Sequence, residues 1–330
     1  MYLAPRCLPS IDSMKKGFSL LVAALLFTSC GSNNDEEGFT PVPIEPLATI
    51  NEQNEAELVS FLQSHYYDAS EAIRPMNDAP AKTLALWDDP RLKVKQVLVR
   101  PSEHNLDTEG YTEDEIANGI PHNLYYFIVQ DGGGNSLSTA DSVYVQYAGR
   151  TLDLNLFDQV RQGGLWFDLA RIQAPQQGFR GFSEGAALLK TASEVIDNPD
   201  GTFSAPDAGK GFFFFGSALG PYQNAQATIP AYGPMFFELK VLARKITDHD
   251  GDGVPSYLED LNNNGYLFDD NTDLDDEVAG GRALLPNYFD ADDDGDGTPT
   301  ACEISLGLDY LDPTECYDAD GDGDCDSCEQ

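Results

Sequence analysis

The sequence predicts an α+β domain followed by an irregular, strongly acidic repeat tail. Four short segments between residues 124 and 242 have strand character, and one short Ala/Leu-rich helical segment stands among them. Beyond residue 247 the pattern Asp-x-Asp-x-Asp-Gly returns at intervals, with almost no apolar periodicity around it. At 330 residues, with 41% hydrophobic and 11% aromatic content, the chain exceeds the usual length of one domain and can bury at least one core. Its formal charge of −37 is uneven, because residues 247–330 hold 26 Asp or Glu against a single Arg. Such a balance repels nucleic acid and attracts cations, so no nucleic-acid partner is expected.

In chain order, Met14, Lys15 and Lys16 supply a short positive region, and residues 17–27 form an apolar run that meets Thr28 and Ser29 before Cys30. This reads as a secretion signal over residues 1–29, with a run too short for a comfortable membrane span. Residues 1–13, with Cys7, are either an extended leader or precede the true start. Phe27-Thr28-Ser29-Cys30 resembles a bacterial lipoprotein cleavage box, with Phe where Leu is usual. The resemblance implies that Cys30 is acylated and becomes the mature N-terminus, which places the protein in a bacterial outer membrane, facing the periplasm or the cell surface. Residues 30–50 are polar, charged and Pro-containing, and are expected to form a flexible tether.

Residues 51–119 read as an N-terminal extension. Within it, Ala56, Leu58, Phe61 and Leu62 have helical spacing and predict a helix over 51–66. Residues 93–99 alternate as a strand would, but the Pro and Asp clusters around them leave the stretch without an assignment. Residues 120–246 are expected to form the main domain. Strands are predicted at 124–129, 142–149, 211–215 and 235–242, a hairpin turn at 131–135, and a helix at 184–192. The glycines of 132–134 do not make a phosphate loop, since no helix-forming run or Lys-Ser/Thr follows them.

The alternating Val143, Val145 and Tyr147, the Tyr147-Ala148-Gly149 step and the later Phe157-Asp158 resemble the signature of FKBP-type peptidyl-prolyl isomerases. Gly178-Phe179-Arg180-Gly181-Phe182-Ser183-Glu184-Gly185 is similar to that family's turn into its helix. Residues 217–222, Ile229-Pro230 and 236–239 resemble its Tyr-bearing loop and closing strand. The resemblance implies an FKBP-like antiparallel β-sheet wrapped on a short helix, and a pocket lined by Tyr147, Phe157, Asp158, Phe167, Phe179, Phe182, Tyr222, Ile229 and Phe237. It further implies that Phe182 is the pocket floor, that the Phe179 N–H receives the substrate carbonyl, and that Asp158 and Tyr222 form polar edges. Phe182 stands where the family has Trp, Gly178 where it has an aliphatic residue, Pro221 enlarges a loop step, and two extra residues lie between Phe167 and Phe182. Rotation about an X–Pro bond needs no nucleophile, metal or acid–base pair, so a dry aromatic lining suits it. No rival enzyme signature is present, and His65, His104, His122 and His249 lie far apart in sequence.

In residues 247–330, Asp248, Asp250, Asp252, Gly253 and Glu259 fall at positions 1, 3, 5, 6 and 12 of a calcium loop. The spacing returns at Asp292, Asp294, Asp296, Gly297 and Glu303, and again at Asp318, Asp320, Asp322, Gly323 and Glu329. Asp260, Asn262, Asn264 and Gly265 form a weaker copy, while the copy begun by Asp273 is interrupted. Pro255 and Pro299 remove the N–H that paired EF-hands need at position 8. The tail is therefore similar to thrombospondin type-3 repeats, which implies calcium as a structural cofactor and little apolar core. Cys302, Cys316, Cys325 and Cys328 are expected to form disulfides, since zinc would need more soft ligands and thioredoxin-like chemistry a βα setting. Two functions follow from the resemblance. One is an isomerase acting on proline-containing exported polypeptides, lipid-anchored to the membrane; the other is a catalytically weak binding module with a calcium-dependent spacer or adhesive tail.

Overall fold

The computed structural model describes residues 44–315 together with 317 and 318, except 69, 71, 177, 200 and 227. Helix α1 (Leu47–Ser64) starts a turn earlier than its periodicity suggests, behind Pro46, because Leu47 and Ile50 continue the buried stripe of Leu58, Phe61 and Leu62. It ends where His65 becomes extended and opens strand β1 (His65–Tyr67), which pairs with β2 (Ile73–Pro75). Strand β3 (Leu92–Val99) and helix α2 (Glu113–Asn118) follow, the latter capped reciprocally by Thr112 and Glu115. Next come β4 (Ile120–Gln130), β5 (Ser142–Thr151), β6 (Leu156–Asp168) and α3 (Arg180–Ala186). The small ribbon β7 (Ile196–Asp197) with β8 (Phe203–Ser204) precedes β9 (Gly209–Phe215) and β10 (Met235–Lys245).

Six strands form one antiparallel sheet in the order β3-β4-β9-β10-β5-β6. The four predicted strands lie within β4, β5, β9 and β10. Strand β3 pairs with β4 along its whole length, so the sheet reaches across the expected boundary at residue 120. Strand β6 escapes prediction because it is an edge strand, mostly exposed, whose apolar residues do not alternate and are interrupted by Gly163 and Gly164. The predicted helix 184–192 is displaced toward the N-terminus. Its glycines, which lower helix propensity, are what allow it to lie on the sheet: a Cβ on Gly181 would stand 2.5 Å from the Phe215 ring, and one on Gly185 2.6 Å from Phe213. It cannot continue past Ala186 for long, because Lys190 and Thr191 donate their N–H groups to Asp131 and Asn135.

The apolar run 211–215 is unbroken because β9 is covered on both faces. Phe213 and Phe215 join Phe182 and Phe237 on the α3 side, while Phe212 and Phe214 join Phe61 and Phe236 on the α1 side. Burying each such ring contributes about 1.5–3 kcal/mol. Asn54, buried in α1, pins the helix to the end of β9: its side-chain oxygen accepts from the Ser217 N–H (2.7 Å) and hydroxyl (2.8 Å), and its amide donates to the Tyr232 carbonyl (2.9 Å).

The tail contains α4 (Leu274–Gly280) and α5 (Thr300–Leu306) between tight acidic loops. Its small apolar core is shared with the main domain, Leu267 and Tyr288 being buried against Ala140 and Ala170. Cys302 is disulfide-bonded; Cys316, Cys325 and Cys328 lie outside the described residues, as does Cys30. No helix among the described residues is long and apolar enough to cross a membrane.

Asn54→Ala removes the acceptor of the buried Ser217 N–H and hydroxyl, and should cost about 1–3 kcal/mol of stability. A urea midpoint equal to that of the unsubstituted protein would contradict the pinning role.

Candidate functional site

The inner faces of β5, β6 and β10, the turn before α3 and the loop before β10 enclose a cavity of about 280 Å³. Tyr147, Phe157, Asp158, Phe167, Phe179, Phe182, Ile229 and Phe237 line it, joined by Ile172, Gln226 and Thr228, which sequence reasoning did not find. Sheet register explains the convergence. Gly149 of β5 is paired with both Phe237 of β10 and Asp158 of β6, and Tyr147 lies two residues away on the same face. A Cβ on Gly149 would meet the Phe157 ring at 2.3 Å and the Phe237 ring at 2.7 Å, so glycine there lets the two rings close over the strand.

Phe182 is 1% exposed and forms the floor. Phe237 stands edge-on to it at 5.2 Å and 90°, and Phe157 and Phe179 meet Phe237 edge-on at 5.4 and 5.8 Å. These are favoured aromatic geometries, and they hold the walls without filling the space between them. At one side the Tyr147 hydroxyl donates to Asp158 Oδ2 at 2.6 Å. Burial first, then the Asp158 charge, pushes the Tyr147 pKa upward, so the hydroxyl remains a donor at neutral pH.

Two expected roles are corrected. The Phe179 N–H donates to the Ile172 carbonyl at 2.7 Å and so is already engaged. The chain between Phe167 and Phe182 folds into a tight turn there, with Gly178 N–H on the Ala174 carbonyl. A Cβ on Gly178 would stand 2.5 Å from the Ile172 oxygen, so the turn closes only with glycine there. Tyr222 does not line the cavity. It is buried with φ +47, its hydroxyl donates to the Glu45 carbonyl at 2.6 Å, and its ring packs on His104 and Tyr232. The segment leading into α1 thus occupies the hydroxyl. Ile172 is an isolated apolar residue in the polar stretch before Phe179; nothing in the sequence marks Gln226 or Thr228.

The acidic loops share one backbone frame. Gly253, Gly265 and Gly297 have φ of +100, +82 and +101 and donate to Asp248, Asp260 and Asp292, respectively, five residues earlier. Val254, Tyr266 and Thr298 donate to Asp252, Asn264 and Asp296 at 2.6–2.7 Å. Asp248, Asp250 and Asp252 bring carboxylate oxygens within 4.8 Å of one another, as do Asp292, Asp294 and Asp296. Two further groups meet the same criterion: Asp252 with Glu259 and Asp293, and Asp273 with Glu277 and Asp290. The weaker copy gathers no such carboxylate group, since Asp260 is accompanied by Asn262 and Asn264, whose amides bond Asp270 and Asp269. Asp318 is exposed, and Asp320, Asp322 and Glu329 lie outside the described residues.

Both oxygens of Glu259, Asp293 and Glu303 are buried without a hydrogen-bond partner, as is one oxygen each of Asp250, Asp252, Asp292 and Asp294. Burial, then Asp250, Asp293 and Asp252, pushes Glu259 up to about 9; burial, then the Asp294 and Asp296 charges, pushes Glu303 up to about 8. Hard oxygen donors so placed fit a divalent cation of calcium type, because an unpaired buried carboxylate is otherwise costly.

No protein-family profile matches the sequence, and no curated protein sequence matches it. Solved structures similar to the chain include FkpA from Escherichia coli, at 17% identity and TM-score 0.34, over 60% of this chain and 63% of that one. The chain thus spans less than two thirds of that protein's length. A peptidyl-prolyl cis-trans isomerase from Pseudomonas syringae pv. tomato is similar at 15% identity and TM-score 0.34, over 62% of this chain and 99% of that one. The N-terminal domain of FKBP42 from Arabidopsis thaliana is similar at 14% identity and TM-score 0.29, over 37% and 86%.

Gly149→Ala should force the Phe157 and Phe237 rings apart and destabilise the fold by about 1–3 kcal/mol through overpacking. A stability unchanged in chemical denaturation would show that the rings are not constrained as described.

Proposed function

We propose that the chain is a peptidyl-prolyl cis-trans isomerase of FKBP type, acting on X–Pro bonds of exported polypeptides and held at a bacterial membrane through an acylated Cys30. The observation that carries this reading is the small cavity walled by edge-on phenylalanines over Phe182, with the Tyr147–Asp158 pair as its polar side. An X–Pro amide must lose its resonance to rotate, against a barrier of ~20 kcal/mol. A pocket that excludes water and packs the prolyl ring stabilises the twisted amide, which is less polar than the planar one, without covalent chemistry. The second reading, a weakly catalytic proline-binding module, is favoured by the engaged Phe179 N–H and Tyr222 hydroxyl, because the donor expected for the substrate carbonyl and one of the two expected polar edges are directed elsewhere.

Calcium in the tail is proposed as a structural cofactor. Asp248, Asp250 and Asp252 would hold one ion and Asp292, Asp294 and Asp296 another, with Glu303 buried beside the latter. Bound cations supply the positive charge that the buried carboxylates lack.

The full chain should accelerate isomerisation of an X–Pro peptide. Asp158→Ala, which removes the charged acceptor of the Tyr147 hydroxyl, should slow it about ten- to a hundredfold, corresponding to about 1.5–3 kcal/mol. Binding of the peptide without acceleration would select the second reading, and no binding at all would exclude both. Calcium at a hundredfold excess over Kd should add about 2.7 kcal/mol of stability per site, so chelator should lower the melting temperature and open residues 248–309 to protease. Identical melting and cleavage with and without chelator would dismiss the cofactor.

A further inference from the structure

The first and third acidic loops are built alike around their second residue. In the first, the His249 N–H donates to the Ser256 hydroxyl at 3.2 Å, and the Ser256 N–H to the Thr247 carbonyl at 2.9 Å. In the third, the Asp293 N–H donates to the Thr300 hydroxyl at 3.1 Å, and the Thr300 N–H to the Ala291 carbonyl at 2.9 Å. The second residue of each loop therefore occupies one backbone slot, from which its side chain reaches the module before it. His249 reaches Asp168 at the end of β6, at 3.0 Å. Asp293 reaches Asp252 and Glu259 of the first loop, where three carboxylates bring oxygens within 4.8 Å.

The first junction joins complementary groups; the second joins like charges. Asp293 and Glu259 are each 1% exposed, and neither has a hydrogen-bond partner on either carboxylate oxygen. Asp252 is 5% exposed, with one oxygen unpartnered. Held ionised together in so small a dry space, the three groups would repel one another, and the Val254 N–H on Asp252 is too little to offset it. A cation is the one addition that makes this junction cohesive, and the all-oxygen donor set suits a hard divalent ion.

We propose that Asp252, Glu259 and Asp293 form a divalent-cation site shared between the first and third loops, distinct from the ion held within each loop. Asp252 would contribute to two ions, and Glu259 would belong to the shared site rather than closing the Asp248 loop. Asp293 is the residue that repeat spacing hides, because it falls between the alternating positions 1 and 3. The site ties residues 252 and 293 together as a cross-link would, and fixes the third loop on the first. This inference rests on the reading of the tail as a calcium binder.

The test counts calcium on the full chain by native mass spectrometry and compares melting temperatures in calcium and in chelator. Asp293→Asn and Glu259→Gln, nearly isosteric and from different loops, should each bind at least one calcium fewer than the unsubstituted protein, whereas exposed Asp276→Asn should bind the same number. Each of the first two should melt below the unsubstituted protein in calcium, and the gap should close or reverse in chelator, since these carboxylates make the junction cohesive only through the ion. An unchanged calcium count, a loss from only one of the two variants, or higher melting in both conditions would overturn the shared site while leaving calcium binding by the tail intact. An unsubstituted protein that binds no calcium would overturn both.

Discussion

Covering the centre of the sheet on both faces is the constraint from which the rest of the molecule follows. Strand β9 contributes Phe212 and Phe214 to one face and Phe213 and Phe215 to the other, so two layers must be supplied to exclude water. Helix α1 supplies one, with Phe61 against Phe214 and Phe236. Helix α3 supplies the other, and it can approach only because Gly181 and Gly185 present no Cβ to the rings beneath. The cavity is a consequence of the same packing. Phe237 stacks on Phe215 within the core at 5.9 Å, and its other edges face Phe182, Phe157 and Phe179 around the open space. One residue is at once core and wall, so one side of the pocket is fixed by the packing of the sheet.

That dual role also explains what the sequence could and could not convey. Alternation revealed β5, and the unbroken run revealed β9, because both are packed on at least one face. Strand β6 left no such trace: an edge strand bonded only to β5 and largely in water need not alternate, and its apolar residues fall mostly in adjacent positions. The start of α3 was obscured by the glycines that position it, since propensity counts Gly against a helix while packing here requires it. For the pocket, side-chain identity at the right spacing was legible, and Tyr147, Asp158, Phe182 and Phe237 converge as register dictates. Backbone hydrogen bonding was not. Whether the Phe179 N–H points to a ligand or to Ile172 depends on how the turn before it folds, and Tyr222 is held away by Glu45, 177 residues distant in the chain. Contacts of that separation leave no local pattern to read.

The tail follows a different rule from the domain it adjoins. The sheet is held by apolar area, whereas the loops are held by Asx-type bonds from backbone N–H to carboxylate, repeated at equivalent positions around Gly253, Gly265 and Gly297. These bonds satisfy one carboxylate oxygen and leave others, such as Asp250 Oδ2, Asp252 Oδ2 and Asp294 Oδ2, without a donor. A frame of this kind organises negative charge without neutralising it. The regular spacing was visible in sequence for that reason, while the junctions between loops, made by His249 and Asp293, were not.

The two rules meet at Arg180, one residue beyond Phe179 and two before Phe182. Its guanidinium is buried, donates to the Leu98 carbonyl at 2.7 Å, pairs with Glu103 at 2.9 Å, and lies 4.3 Å from the centre of the Tyr266 ring of the tail. Arg100, nearby, pairs with Asp269, whose carboxylate also accepts from Asn264 at 2.8 Å. A buried guanidinium is costly unless its partners are all in place, and here one of them, the face of Tyr266, belongs to the second acidic loop. The first turn of α3 therefore depends on the tail for part of its cover. Since that turn carries both the floor of the cavity and one of its walls, the shape of the pocket is set by the sheet on one side and by the docking of the acidic loops on the other.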